Sequence, residues 1–486
     1  LRRRVVVAGA VCALLLAVWI ALRPDGTRLD SLAVLPFVNA SGDPRMEYLS
    51  DGIAESIIRS LSQLPGLRVM SYSAVAPFKG GKAEPRPAGR RLGVKAVLTG
   101  RVLQRADELS VSVELVNVAD NRHLWGEQYQ SRMAGVFAIQ EQIGHELADR
   151  LRLKLTGEQR QALAKRHTQD PAAYQEYLRG RYFWNRRTGA TLQTAIAHLE
   201  KAIAKDPAYA LAYAGLAQCY ALESALLPIP SRESFPRAKA AALKALEIDP
   251  TLADAYPTLG LTRQSFDYDW TGAERDFRKA IELDPSDATA HQWYGQFLNA
   301  LGRFDEALTE VRRAQELDPL SLMVSTVVGQ VLHYAGRTEE AMAQLGKTLA
   351  LDPNFGVAIF WLGQAHLQKS VYAEAIAEYQ KVAQLTDWPF VRGALGQAYA
   401  LSGDRDAAQR ILRQLTERSR QSYVPALAVA WVYIGLQDRE QAFAWLDKAV
   451  EERGEIVSWL KSDPLYAPLR GDPRFGALLQ RMRLVP

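Results

Sequence analysis

ATAHQWYGQFLNALGRFDEALTEVRRAQELDP, residues 288–319, is the stretch whose reading decides the fold. It divides into two helical runs around the turn Leu301-Gly302-Arg303. Small residues fall where two paired helices touch: Gly295 in the first run, Ala307 and Ala314 in the second. Larger Tyr294 and Leu298 fill between them. Asp318-Pro319 closes the stretch, because proline ends a helix that would otherwise run on. The same pair stands at Asp206-Pro207, Asp249-Pro250, Asp284-Pro285 and Asp352-Pro353, with 34 residues from Asp284 to Asp318 and again to Asp352. Helical hairpins repeated at a fixed period cannot bury their apolar faces singly, so they stack into a superhelix whose inner surface is free to bind.

The pattern extends in both directions. Gly329, Ala341 and Leu345 form the next unit, and Leu362, Gly363, Ala375, Tyr379 and Ala383 the one after. Leu395-Gly396, Tyr399 and Ala408 mark another, then Tyr433, Ala442 and Ala449. Upstream, Ala217, Ala238 and Ala245 repeat the spacing around a Pro-rich insert at 226–237, and Leu178, Gly180 and Ala195 begin the series. About eight hairpins are predicted over residues 166–452, followed by a capping segment, 453–486, that covers the open apolar end. This period, ended by Pro in each unit, is similar to the tetratricopeptide repeat.

The amino end is of another kind. Residues 5–22 carry no charge and are mostly apolar, long enough at 1.5 Å per residue for roughly 27 Å of hydrocarbon. Arg2, Arg3 and Arg4 precede them and only Arg23 follows, so the positive-inside rule keeps the amino end in the cytoplasm. Residues 1–23 are therefore expected to be an uncleaved anchor in a bacterial inner membrane, with the bulk of the chain periplasmic. A cleavable signal peptide is the alternative, disfavoured by Trp19, Ile20 and Leu22 where small residues are needed. The chain opens on Leu1, which suggests a longer protein upstream. Of the formal +5 charge, the four arginines up to Arg23 supply four, leaving +1 for the remainder. No single-sign field is left for nucleic acid, and none is expected as a partner of this chain. Cys12 and Cys219 are the only cysteines, so the part beyond the anchor forms no disulfide of its own.

Residues 30–157 read as a small α/β domain. Leu32 to Phe37 is a short apolar strand, and Ile53, Ile57, Ile58, Leu61 and Leu64 share a helix face expected to be capped by Ser50 or Asp51. Leu67-Arg68-Val69-Met70 is a second strand. A meander follows, in which Leu109, Val111, Val113 and Leu115 alternate with polar residues, and a third meander strand lies around Leu124-Trp125. A long helix from about 135 to 155 leads out. The stretches Ala33-Val34-Leu35-Pro36-Phe37, Ser41-Gly42-Asp43-Pro44, Tyr48-Leu49-Ser50-Asp51-Gly52, Leu92-Gly93-Val94 and His123-Leu124-Trp125 resemble the TolB-like domain found beside tetratricopeptide arrays in bacterial envelope signalling proteins. That resemblance implies an accessory domain without chemistry of its own. The fold expected is thus multidomain: an amino-terminal transmembrane helix, a TolB-like α/β domain and an all-α superhelix.

Tyr177 to Asn185, Tyr209 to Ala217, Tyr268-Asp269-Trp270, His291-Gln292-Trp293-Tyr294 and Leu469 to Phe475 resemble the extracytoplasmic half of one bacterial lineage. In it the cytoplasmic half is a eukaryotic-type serine/threonine kinase or a winged-helix DNA-binding domain. Met46 to Gly52 leans toward the kinase-linked branch.

Repeat positions 2, 5, 9 and 12 of each first helix share the face that lines the concave side. Position 9 is Gln218, Gln296, Gln330, Gln364 and Gln397 in five units. A file of amides suits the backbone of an extended peptide, although an amide there also serves to bond a neighbouring helix. Five net hydrogen bonds at about 1 kcal/mol each fall short of the roughly 8 kcal/mol of micromolar binding. Met323, Phe360 and Phe390 are the apolar anchors expected to supply the rest of a groove for a protein or peptide ligand. Carboxylate-clamp chemistry is excluded, because its slots hold Thr289, Met323, Val357 and Phe390. His145-Glu146 lacks a second histidine one turn on, and Gly80-Gly81-Lys82 lacks the rest of a phosphate loop. No cofactor, metal or catalytic residue is expected. The reading is a non-catalytic sensory or interaction module, with two alternatives: the tail of a kinase or regulator, or a passive envelope scaffold.

Overall fold

The structure is a computed structural model that describes residues 29–484 apart from Pro65, 81–83, Lys154, Arg187 and Pro228. The expected anchor lies outside the described residues. Among those described, no helix is long and apolar enough to cross a membrane.

A small mixed sheet comes first. Its strands are β1 (Ser31–Val34), β2 (Val38–Asn39), β3 (Arg68–Val69), β4 (Ala96–Arg105), β5 (Glu108–Asn117) and β6 (His123–Arg132). The order is β3-β1-β4-β5-β6, with β2 also pairing β4. β1 runs parallel to β3 and β4, whereas β4, β5 and β6 form the antiparallel meander. Leu109, Val111, Val113 and Leu115 of β5 are all buried, as their alternation requires.

Helix Glu47–Ser62 starts about one turn before the expected cap. A 3-10 turn, Pro44–Met46, capped by the Asp43 carboxylate, feeds straight into it, so no side chain caps the helix itself. Ser50 and Asp51 are instead interior and buried. The reason is that this helix is covered on two sides. Leu49, Ile53, Ile57 and Leu61 enter the core of the sheet domain. On another side Gly52 meets Leu178, and a Cβ at Gly52 would lie 2.6 Å from its Cδ2. Glycine here permits the close approach of helix to helix.

Eight hairpins follow among the described residues. Their helices are Pro171–Trp184 with Gly189–Lys205, Ala210–Leu226 with Ser231–Ile248, and Tyr256–Thr262 with Trp270–Leu283. Then come Ala288–Ala300 with Phe304–Leu317, Leu322–Tyr334 with Thr338–Leu351, and Gly356–Gln368 with Tyr372–Leu385. Pro389–Leu401 with Arg405–Ser419 and Ala426–Gly435 with Arg439–Glu452 complete the series. The small-residue positions are contact points: a Cβ on Gly295 would sit 2.5 Å from Val311, and one on Gly329 2.7 Å from Leu345. Cys219 is buried in the second hairpin, where burial pushes its thiol up to about 12.

Four of the five Asp-Pro turns share the same local chemistry. Asp206, Asp249, Asp284 and Asp352 each accept a backbone N–H from two residues on. The second carboxylate oxygen of several reaches further. Asp284 Oδ2 accepts from Ser62 Oγ at 2.7 Å, Asp318 from Ser73, and Asp249 pairs with Lys165 at 2.7 Å. The sheet domain and its linker are thereby docked along a row of repeat turns.

The carboxyl-terminal segment does more than cover the last hairpin. Helix Pro473–Arg481 does pack there, with Arg474 over the Phe443 ring. The preceding 3-10 turns, Ile456–Trp459 and Pro464–Leu469, fold back across the array. Gln264 Nε2 donates to Ser458 Oγ, Trp270 Nε1 to the Met482 carbonyl, and Tyr334 Oη to Asp463. Tyr268, left-handed at φ 55° after a π-turn at Arg263–Asp267, donates to the Val450 carbonyl. The Pro-rich insert joins the same closure, since Arg232 donates to the Glu451 carbonyl. The last hairpin and its extension are thus tied to hairpins two, three and five.

Candidate groove site

The helices Ala288–Ala300, Leu322–Tyr334, Gly356–Gln368 and Pro389–Leu401 turn one face toward a cavity of about 190 Å³. Gln296, Gln330, Gln364, Met323, Phe360 and Phe390 all line it. Gln397 lines a second cavity of about 450 Å³, which it shares with Gln364, His333 and Pro464. Gln218 lies in neither.

Gln218 is engaged elsewhere. Its Oε1 accepts from Arg181 at 2.8 Å, and its Nε2 donates to the Asp254 carbonyl at 3.3 Å. Arg181 also pairs with Glu55 at 2.6 Å, and Arg59 with Asp254 at 2.7 Å. Two cations and two carboxylates are therefore balanced inside the junction between sheet domain and repeats. A buried group of this kind holds only when every member is paired.

The remaining amides are also partly committed. Gln296 Nε2 donates to Gln330 Oε1 at 3.3 Å, across one repeat. Gln330 is only 2% exposed and Gln397 3%. A peptide backbone meets few free amides here. The wall is aromatic instead. Phe390 lies 5.2 Å from Trp388 and 5.3 Å from Trp431, centroid to centroid, while Tyr334 lies 5.6 Å from Trp361 and 6.1 Å from Trp459. Trp388, Trp431 and Trp459 carry no signal in the register of the amide file, and Trp459 belongs to the returning segment. Only the tertiary closure assembles them.

Three carboxylic acids face the same space: Glu452, Glu455 and Asp463. Glu452 accepts from Tyr423 Oη at 3.0 Å and from the Ala426 N–H at 2.9 Å. Asp463 accepts from the Leu465 N–H and from Tyr334, and burial pushes its carboxyl up to about 6. Glu455 has no such partner among the described residues, and burial alone pushes it up to about 7. No lysine, arginine or histidine lines the cavity. Among the described residues no group of three or more metal-ligating side chains is placed to hold an ion. The arrangement can bind, and it has the apolar wall with few polar groups that ligand sites share.

Residues 28–147 match the family model of the HilA/YgeH-like transcriptional regulator, second domain, and residues 269–321 and 329–389 match the tetratricopeptide repeat. The sheet domain thus carries a HilA-like description where its motifs suggested a TolB-like one. The chain is 30% identical over 286 residues to the "Putative adenylate cyclase 3" of Rhizobium meliloti (strain 1021), covering 57% of this chain and 41% of that protein. It is 29% identical over 135 residues to the transcriptional regulator HilA of Salmonella typhimurium, covering 28% of this chain and 24% of that one. It spans less than half the length of either relative. Among solved structures, the pilF protein of Pseudomonas aeruginosa is 26% identical over 44% of this chain and 93% of that chain, at a TM-score of 0.34. The helical array thus carries tetratricopeptide repeats, and the sheet domain is similar to the second domain of HilA/YgeH-like transcriptional regulators.

Proposed function

We propose that this chain is the recognition half of a larger signalling protein, taking a protein or peptide ligand in the repeat groove and catalysing nothing itself. The observation that carries this reading is the convergence of Gln296, Met323, Gln330, Phe360, Gln364 and Phe390, from four hairpins, on one aromatic-walled cavity. Two relatives named for different outputs, a cyclase and a transcriptional regulator, each share only part of their length with it. A common input half joined to different effectors accounts for that pattern. The HilA-like match favours a DNA-binding effector over the kinase suggested by Met46 to Gly52. The proposal includes an anchor through residues 5–22, with the repeats on the far side of the inner membrane and nucleic acid outside this chain's partners.

Photo-crosslinking in cells tests it. A photoreactive residue at Met323 or Phe390 of the full-length protein should give one discrete adduct, while the exposed Leu351 of the fifth hairpin gives none. Identical products from all three positions, or none from the groove, would sink the groove reading. Protease treatment of intact spheroplasts checks the location separately: digestion of the repeats is expected, and their survival until lysis would place them in the cytoplasm.

A further inference from the structure

The cavity is chemically one-sided. It is enclosed by indole and phenyl faces, it holds the carboxyl groups of Glu452, Glu455 and Asp463, and no basic side chain reaches it. Glu452 is satisfied by Tyr423 and the Ala426 N–H, and Asp463 by Tyr334 and the Leu465 N–H. Glu455 is not satisfied. It is half-buried on the returning segment, its carboxyl makes no hydrogen bond or ion pair among the described residues, and it lines the cavity together with the aromatic side chains. A carboxylate withdrawn from water without a partner is unfavourable, and a cation entering the cavity would remove that penalty. Aromatic faces attract the same guest, because their quadrupoles stabilise an ammonium or guanidinium group within about 6 Å of a ring centre.

We infer that this cavity is a binding site for a small organic cation, an ammonium or guanidinium group set among the indole rings of Trp361, Trp388 and Trp431 with Glu455 as its counter-charge. Its volume of about 190 Å³ lies below the roughly 300–1,000 Å³ of sites for drug-sized molecules, so it suits one basic side chain or one small amine and excludes a nucleotide. The inference rests on the groove reading for its place, and it adds the chemistry of the guest. Two sources carry that chemistry: the basic side chain of a peptide, and a free amine.

Titration of the full chain by tryptophan fluorescence separates them. The probes are choline and agmatine as free cations, 3,3-dimethylbutan-1-ol as the uncharged counterpart of choline, and capped Gly-Arg-Gly against capped Gly-norleucine-Gly. At least one cationic probe should give a saturable shift, with its uncharged counterpart about tenfold weaker or worse. Glu455→Gln should weaken the cation about tenfold and leave the uncharged probe unchanged. The titratable groups facing Glu455 in the cavity are Glu452, Asp463, Tyr334 and Tyr423. With acids on every side, cation binding should strengthen as the pH rises from about 6 to 8. Equal binding of charged and uncharged probes to the wild-type protein overturns the inference, whatever the stability of the variant. So does the absence of any saturable shift into the millimolar range. Groove crosslinks that persist while choline and Glu455→Gln have no effect would leave the recognition reading standing and remove this one.

Discussion

At the scale of single residues, the Asp-Pro pairs show how one side chain serves two purposes. One oxygen of Asp206, Asp249, Asp284 and Asp352 closes the local turn, a role legible in the sequence because the donating N–H lies two residues on. The other oxygen of Asp284 docks the sheet domain through Ser62, and no local signal announces it. Asp284 bears the cost: burial, then the neighbouring Asp287 carboxylate, push it up to about 7. Its folded form keeps a proton that the unfolded chain releases near pH 4, so stability falls as the pH rises through about 7. Asp284→Asn keeps the bond to the Ser286 N–H and removes the charge. It should raise the unfolding free energy at pH 8, read by chemical denaturation, by on the order of 1–3 kcal/mol, with the gap closing toward about pH 4. Glycines offer a second comparison. A Cβ at Gly393 would lie 2.4 Å from the Ala428 carbonyl oxygen, whereas one at Gly346, in an exposed helix interior, meets nothing within 4 Å. Gly393→Ala should destabilise by about 1–3 kcal/mol. Gly346→Ala should stabilise by up to about 1 kcal/mol. Urea denaturation of both variants, read against wild type, decides the pair.

At the scale of elements, helix Glu47–Ser62 is where the two halves of the chain become one. Its apolar stripe was readable, since Ile53, Ile57 and Leu61 recur at helical spacing and are buried. Its polar stripe is covered as well. Glu55 meets Arg181, Arg59 meets Asp254, and Asn185 Nδ2 donates to the second Glu55 oxygen at 3.1 Å. Pattern alone assigns polar residues to water, whereas here a second buried surface supplies matching charges from more than a hundred residues away. Glu55→Gln alone should cost roughly 3–5 kcal/mol, because it strands the Arg181 charge. Glu55→Gln with Arg181→Met should recover a large part of that loss. A double-mutant cycle in chemical denaturation measures the coupling, and purely additive losses would show that the pair is not an interacting unit.

At the scale of the whole molecule, the return of the carboxyl-terminal segment changes what the groove is. An open array would present a long concave channel, but the turns at Ile456–Trp459 and Pro464–Leu469 divide it into two cavities. Gln264, Trp270 and Tyr334 hold the segment from inside the array. Removing residues 453–486 should therefore lower the unfolding midpoint and raise binding of a hydrophobic dye, as Trp361 and Trp431 lose their cover. A truncated chain with unchanged melting and no dye signal would mean that the segment contributes nothing to this core.

The tetratricopeptide hairpins, their small-residue contacts and the meander of the sheet domain follow from the sequence by itself, because each rests on neighbours a few to 34 residues apart and leaves a period. The closure had to wait for the tertiary structure. Its bonds join residues 182 and 212 positions apart, at sites with no repeat register. Contacts of that range depend on how the small rotations between successive hairpins add up, and no single repeat records that sum. The same accumulation brings Glu455 into the cavity that the tryptophans line, which is why the amide file was visible in the sequence and the aromatic, acidic cavity was not.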